Sequence, residues 1–361
     1  MPVITITEVV IPATLDAPDS AEFLACVDLR NTAYRVDSGT DDLTYTAAEL
    51  LPNWQKTTFE PKRMFAAHLD GRLVARGVYE TRTDEAADTV WLSAEVLPNA
   101  RGHGVGDALA RHLEALALAE GKIRAIVYAP SWKNGGIRIP SPTGFGSVPA
   151  GTPEVRLLQN LGYTLEQVER GSRLALPVES GVLHSAHDVA LAAAGLDYRV
   201  HTWAGPTPAQ WREGIAHLLT RMSTDAPTAG LQEPEDPWTI ERLLADEAKE
   251  AESPRTSVVA AVEHVPSGSL VGFTELTAPA EAERSVGQED TIVLREHRGH
   301  RLGMLLKAAN VLWLEQVSPG HPSVITYNAE ENRHMLAVNE ALGFVPFVYE
   351  GAWRKDLGSI A

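Results

Sequence analysis

Two short segments of this 361-residue chain carry residue types suited to holding a phosphate: Arg101-Gly102-His103-Gly104-Val105-Gly106 and Arg298-Gly299-His300-Arg301-Leu302-Gly303. Each follows an apolar, β-branched run and precedes an amphipathic run of helical period. Glycine lets backbone turn through positive φ and come close to a ligand. At a helix start, the first N–H groups lack intrahelical partners and the dipole is positive, so such a turn can bind a diphosphate. The spacing is neither the GxGxxG of dinucleotide folds nor the GxxxxGK[ST] of a P-loop. A strand-to-helix turn of this kind also occurs without any ligand. The histidines in and near the second segment, His297 and His300, and the more distant His321 and His334, lack a ligand set at metal spacing.

The elements that position these turns are duplicated. Val96–Ala117 aligns without a gap on Val293–Leu314, at an offset of 197 (293 minus 96). Leu161-Gly162-Tyr163 and Leu342-Gly343-Phe344 match at an offset of 181 (342 minus 161), so the first copy holds sixteen extra residues (197 minus 181). These fall in SWKNGGIRIPSPTGFGSVPAGTP, whose Gly, Pro and Ser content reads as a long loop. One unit reads as a strand, two helices, a run of strands, the glycine turn, a long helix, a strand, a helix and a last hairpin. First-copy strands are expected near Ile4–Val9, Met64–Leu69, Leu73–Tyr79, Val90–Val96, Ala125–Tyr128 and Arg173–Leu176, with TRTDEAADT joining the third and fourth. Second-copy strands are expected near Tyr198–Trp203, Ser257–Val262, Leu270–Leu276, Asp290–Leu294, Val324–Tyr327 and Pro346–Tyr349, and a helix near Trp238. The fold class is α/β (α+β): two tandem domains, 1–178 and 179–361, each a mixed, mostly antiparallel sheet flanked by helices. HSAHDVALAAAG, at the junction, suits a short connecting helix.

The residues Arg101 to Gly106 fit the (Gln/Arg)-x-x-Gly-x-(Gly/Ala) signature of the GNAT acetyltransferase superfamily, with Val96 at the family's position five residues earlier. The helix closed by Leu342-Gly343-Phe344 resembles that family's last helix, and the duplicated plan is similar to tandem GNAT proteins of the mycothiol-synthase type. The resemblance implies acetyl-CoA as co-substrate, its diphosphate on the turn and its thioester in a V-shaped gap between two central parallel strands. The implied cofactor residues are Val96, Arg101, Gly102, His103, Gly104, Val105 and Gly106 in the first copy. In the second they are Val293, Arg298, Gly299, His300, Arg301, Leu302 and Gly303, joined by Asn328 and Asn332 before the last helix. Asn332 matches the family's asparagine; Asn328 is also spaced to cap that helix. Arg301 replaces the second glycine of the signature, and its side chain can contact phosphate instead. Where relatives place a tyrosine that protonates the leaving thiolate, this chain has Asn339 and Leu158, and Gly151 stands at the first copy's asparagine position. Tyr327 and Tyr128, at the ends of matching strands, are alternative proton donors or plain strand residues, and water is a further donor.

Transfer to an amine also needs a base on the strand before the turn. Alternation places Thr291, Glu289 and Gly287 on the face of Val293, and Ala94, Leu92 and Val90 on the face of Val96. Glu289 is therefore a candidate base. Asp290 lies on the other face unless a β-bulge exchanges them. With Tyr327 these form the candidate catalytic set, and they assign chemistry to the second copy. The first copy then binds cofactor without turnover or shapes the acceptor site.

Composition bounds the partners. A hydrophobic content of 44% and a charged content of 22% suit a folded chain. No run reaches the roughly eighteen apolar residues of a membrane span, and the N-terminus has no basic segment before an apolar core, which predicts a cytoplasmic location. The lone Cys26 reads as a buried helix residue. A net charge of -17 disfavours nucleic acid and anionic membranes and favours a cationic small molecule. The expectation is a monomeric or homodimeric N-acetyltransferase for a small amine such as an amino sugar, an aminoglycoside-like compound or a polyamine, with no metal. A degenerate acyl-CoA-binding regulator or scaffold, and a mycothiol-synthase-like enzyme, are the alternatives.

Overall fold

A computed structural model describes residues 3–83, 88–132 and 135–358. Part of the expected TRTDEAADT turn and of the long glycine-rich loop lies outside them. In chain order the elements are β1 (Ile4–Glu8), α1 (Ala21–Ser38), α2 (Ala47–Gln55), β2 (Lys62–Leu69), β3 (Arg72–Glu80), β4 (Thr89–Val96), α3 (Val105–Ala119), β5 (Arg124–Ser131), β6 (Arg138–Pro140), β7 (Ser147–Pro149), α4 (Pro153–Asn160) and β8 (Thr164–Ala175). There follow α5 (Ser180–Ala194), β9 (Tyr198–Ala204), α6 (Arg212–Asp225), α7 (Ile240–Glu250), β10 (Thr256–His264), β11 (Ser269–Ala278), β12 (Val286–Val293), α8 (Leu302–Val317), β13 (Ser323–Ala329), α9 (Arg333–Leu342) and β14 (Val345–Asp356).

The chain divides into two compact units. The first comprises Met1–Glu169 with Thr228–Gln232 and Tyr349–Ala361; the second comprises Arg170–Pro227 and Glu233–Val348. The end of β14 thus belongs to the first unit, where it pairs antiparallel with β5 from Tyr349↔Ser131 to Asp356↔Arg124. In the first unit β1 to β4 pair antiparallel in sequence order, and β4 pairs parallel with β5. In the second, β9 to β12 pair antiparallel in order, and β12 pairs parallel with β13.

Helix α3 shows why these segments fold as they do. Val105, Leu109, Leu113 and Ala117 recur every four residues and are all buried, joining Phe65, Ala75, Leu92 and Trp353 in one core. Helix α2 begins with a capping box, in which Thr46 accepts from the Glu49 N–H and Glu49 accepts from the Thr46 N–H. In the second unit the α8 residues Leu302, Leu305, Leu306 and Ala309 pack with Val259, Phe273 and Ile292.

Several expectations change. Each copy ends in one long strand, β8 or β14, instead of a hairpin. Gly171 lies within β8, where crowding calls for glycine: a Cβ there would stand 2.3 Å from Val348 Cγ1 and 2.9 Å from Tyr327 Cε1. The glycine-rich loop contains a two-stranded ribbon, β6 with β7. β12 begins at Val286, earlier than expected, whereas the connecting helix is present as the fifteen-residue α5 and the helix expected near Trp238 as α7, whose cap is Thr239. Among the described residues no helix is long and apolar enough to cross a membrane.

Candidate active site

In both units the parallel strands part. β4 and β5 pair only over Thr89–Trp91 and Arg124–Ile126, yet run on to Val96 and Ser131. β12 and β13 pair only at Val286↔Val324 and Gly287↔Ile325, yet run on to Val293 and Ala329. Each unit therefore opens a wedge whose β4 or β12 wall has unpaired backbone groups.

The glycine turns stand at the ends of those walls. Gly102 and Gly104 both have φ near 80°, and no atom lies within 4 Å of where their Cβ would be. Gly299 repeats the first of these at φ 91°, and Arg301 repeats the second at φ 56°, in the left-handed region, as the residue before α8. The arginine thus keeps the glycine's backbone geometry, at a cost of roughly 1–2 kcal/mol for a side chain there. Its own side chain is exposed. The first helical bonds run from Ala108 N–H to Gly104 O and from Leu305 N–H to Arg301 O, both 3.0 Å. The N–H groups of Val105, Gly106 and Asp107, and of Leu302, Gly303 and Met304, precede those rungs and are the ones a diphosphate would meet.

Arg101 and Arg298 do something the sequence did not suggest. Arg101 Nε donates to Val96 O at 3.0 Å, and its two terminal nitrogens grip Asp37 of α1 at 2.7 Å each. Arg298 Nε donates to Val293 O at 3.0 Å, and Nη2 reaches Asp225 of α6 at 3.2 Å. Both arginines fasten the turn to the strand end and to the last turn of a preceding helix. Asp37 and Asp225 were missed; their signal was an acid closing the matching helix of each copy. His103 turns Nδ1 to Arg101 O at 3.1 Å, and the ring of His300 lies 5.2 Å from that of Tyr198.

The faces of β4 and β12 need correction. Gly77, paired with Ala94, has its Cβ position 3.0 Å from Leu109 Cδ1, so the Val96 face packs on α3. Gly272, paired with Val293, likewise lies 3.3 Å from Leu306 Cδ1 of α8. Simple alternation from Val293 therefore points at the helix. β12 departs from alternation at Glu289 and Asp290, which oppose Glu275 alone because the register shifts between Thr274 and Leu276. Side-chain amides take up the disturbed carbonyls. Gln288 Nε2 donates to Glu275 O at 2.6 Å, and Asn310 Nδ2 donates to Val258 O at 2.9 Å and Thr274 O at 3.3 Å.

The bulge sets Asp290 among other carboxylates. Burial, then the charges of Glu289, Asp236 and Asp246, push its pKa up to about 6. Burial and neighbouring acids raise Glu250 to about 7, and Glu275 is held well above the carboxylate range by burial and Glu250, against a hydrogen bond from Ser257. Glu289 accepts from Thr277 Oγ1 at 2.6 Å. Lys249 pairs with Asp246 and Arg242 with Asp236, while Arg255 donates to Thr277 O at 2.7 Å and to Thr277 Oγ1 at 3.1 Å, beside Glu289. Behind the bulge, Lys307 of α8 is 1% exposed, burial lowers its pKa to about 7, and its Nζ lies 3.4 Å from Gln288 Oε1. A lysine and an asparagine three apart within an apolar helix were the visible trace of this arrangement.

Tyr327 lies on β13 two residues past the last pair with β12, its ring 6.3 Å from Phe347. The cap assignment changes hands: Asn332 caps α9 by accepting from Met335 N–H at 3.3 Å, while Asn328 accepts from Asn339 Nδ2 at 2.7 Å. Asn339, at the family's tyrosine position, is 1% exposed. In the first unit β4 shows no register shift against β3, and Glu95 lies opposite Arg76.

Residues 23–134 match the family model of the acetyltransferase (GNAT) family. No curated protein matches the chain. Among solved structures, a tandem GNAT protein from the clavulanic acid biosynthesis pathway, described without AcCoA, is 20% identical with a TM-score of 0.75 over 99% of this chain and 100% of its own. A GCN5-related N-acetyltransferase from Sphaerobacter thermophilus is 15% identical with a TM-score of 0.63, over 99% of this chain and 97% of its own. A GCN5-related glucosamine N-acetyltransferase region of a fungal multi-domain GH3 β-N-acetylglucosaminidase is 13% identical with a TM-score of 0.58, over 98% of this chain and 38% of its own. Residues 23–134 are thus similar to the acetyltransferase (GNAT) family, and the whole chain shares the fold of a tandem GNAT protein.

Proposed function

We propose that the chain is an acetyl-CoA-dependent N-acetyltransferase for a small cationic amine, with the chemistry in the second unit and Asp290 as its base. The observation that carries this is the β12 bulge, which places Asp290 among Glu250, Glu275 and Glu289 beside the wedge. That group of acids, more than the net charge, favours a cationic acceptor. Acetyl-CoA, when bound, supplies the activated acetyl group. The N–H groups of Leu302, Gly303 and Met304 hold its diphosphate, and the unpaired part of β12 up to Val293 lines its arm. Asp290 takes the amine proton as the C–N bond forms, and Tyr327, from the β13 wall, returns a proton to the departing thiolate. Among the described residues no cluster suited to a metal ion is present, and no step calls for one. An amino-sugar acceptor has a parallel in the fungal glucosamine N-acetyltransferase region.

The test is thiol release from acetyl-CoA with glucosamine, spermidine and an aminoglycoside. Turnover with at least one, lowered about 10²–10³-fold in Asp290→Asn, is expected. Tyr327→Phe should lower kcat with KM little changed. A second reading has its own support: the family match and both signature glycines lie in the first unit. If Asp290→Asn turns over at the wild-type rate, the chemistry belongs there. If coenzyme A binds and no amine is acetylated, the enzymatic reading fails.

A further inference from the structure

In the first unit, two opposite charges face each other across β3 and β4 without completing a bond. Arg76 is 6% exposed and lies in register with Glu95. Arg76 Nε and Glu95 Oε2 are 4.0 Å apart, with both side chains largely buried. Charge-assisted hydrogen bonds close to about 2.7–2.9 Å. Arg76 Nε, Arg76 Nη1 and Glu95 Oε2 are all buried with no hydrogen-bond partner. A desolvated ion pair is tolerable only when the geometry is good and the remaining donors and acceptors are satisfied. Here neither holds, and the donors and acceptor point to a missing third party.

The surroundings give that party a shape. Glu95 stands four residues past Trp91, the last β4 residue paired with β5, so it borders the open part of the wedge. On the far side of β5, Glu350 of β14 pairs with Pro130. Cys26 of α1 feels the charges of Arg76 and Glu95, and Tyr34, two turns on, feels both of these and Glu350. Arg76 is paired with Ala66, which packs with Cys26 and Trp54 in one core, so the pair looks towards α1 and α2. The Trp54 ring of α2 lies 5.5 Å from the Arg76 guanidinium and forms an aromatic wall. Arg30 is already committed, donating to Leu43 O at 2.8 Å.

We propose that the first unit carries a second small-molecule site, formed by Arg76, Glu95 and Trp54, that takes a zwitterionic α-amino acid. A plain anion would satisfy Arg76 and leave Glu95 facing an added negative charge. A plain cation would do the reverse. A carboxylate on Arg76 with an ammonium on Glu95 completes both sets. Trp54 then lies against the apolar part of the ligand. Because it borders the first unit's wedge, its being a second site rests on the reading that acetyl transfer takes place in the second unit.

The experiment uses the full chain. The protein amino acids are screened by thermal shift at about 10 mM, a level that stabilises a folded state even for a millimolar binder. The best amino acid is then compared by calorimetry with its deaminated acid and its decarboxylated amine. The expected result is binding of at least one amino acid, with both analogues weaker by about tenfold or more, and the same loss in Glu95→Gln and Arg76→Lys. Circular dichroism checks that the variants fold; should Arg76→Lys not fold, Glu95→Gln and the analogues decide. No stabilisation by any amino acid overturns the proposal. Equal binding of the analogues, or wild-type affinity in folded Glu95→Gln, does so too. Thiol release is scored separately, so loss of this site and loss of the transferase reading are distinguishable.

Discussion

Asp290, the proposed base, owes its raised pKa to where a bulge puts it, and that makes its titration a usable signature. Burial and like charges raise its pKa to about 6, so the carboxylate forms as pH rises through that value. A base must be ionised to act, so kcat/KM is predicted to climb through an acidic limb near pH 6. Asp290→Asn should abolish the limb, as pH–rate profiles would show. Glu289→Gln should move the limb to lower pH, because it removes a neighbouring charge while leaving the base in place. The glycine turns make a second prediction at this scale. Gly104→Ala should cost about 1–2 kcal/mol by chemical denaturation, since a Cβ there meets no atom and only the left-handed backbone resists it. Arg301→Gly should be close to neutral, the relief of strain being offset by a more flexible unfolded chain.

Between elements, the two arginine clamps tie the position of a helix to a glycine turn. Asp37 and Arg101 are each about one-third exposed, so their doubly bonded pair is worth only about 1 kcal/mol to stability. Asp37→Ala is nevertheless expected to weaken coenzyme A binding by the first unit several-fold in calorimetry, because Arg101 would no longer hold the turn to β4. Strand β14 carries a different signature. Burial and Glu169 raise Glu350 from an ordinary value of 4.5 to about 8. A carboxyl with a raised folded pKa favours the folded state most when protonated, and ionisation of the unfolded chain erodes that advantage from pH 4.5 upward. Glu350→Gln should therefore raise the melting temperature progressively between pH 4.5 and 8, then by a constant amount. A scan at pH 4 should show no gain.

Over the whole molecule, the first unit depends on the far end of the chain. Trp353 is 1% exposed in the core that also holds Leu109, Leu113 and Val155. Trp353→Ala should cost about 3–5 kcal/mol, read as an earlier denaturant midpoint for the first unit. The net charge of -17 acts at this scale as well. Screening shortens from about 10 Å at 0.1 M salt to about 3 Å at 1 M. The KM for a polycationic acceptor should therefore rise with salt, with kcat changing less.

What the sequence determined by itself was local or repeated. The duplication, both glycine turns, most of the order of strands and helices and the buried Cys26 all follow from glycine positions and hydrophobic periods, which need only near neighbours in the chain. Tertiary structure alone decided the rest. Alternation counted from Val293 could not reveal that its face packs on α8, nor that Glu289 and Asp290 both oppose Glu275. Gly171 is a point of close approach in space, which its place in the sequence does not announce. Arg101 and Asp37, or Arg76 and Glu95, meet only because sheet register and helix packing bring distant segments together, and no residue spacing encodes that distance.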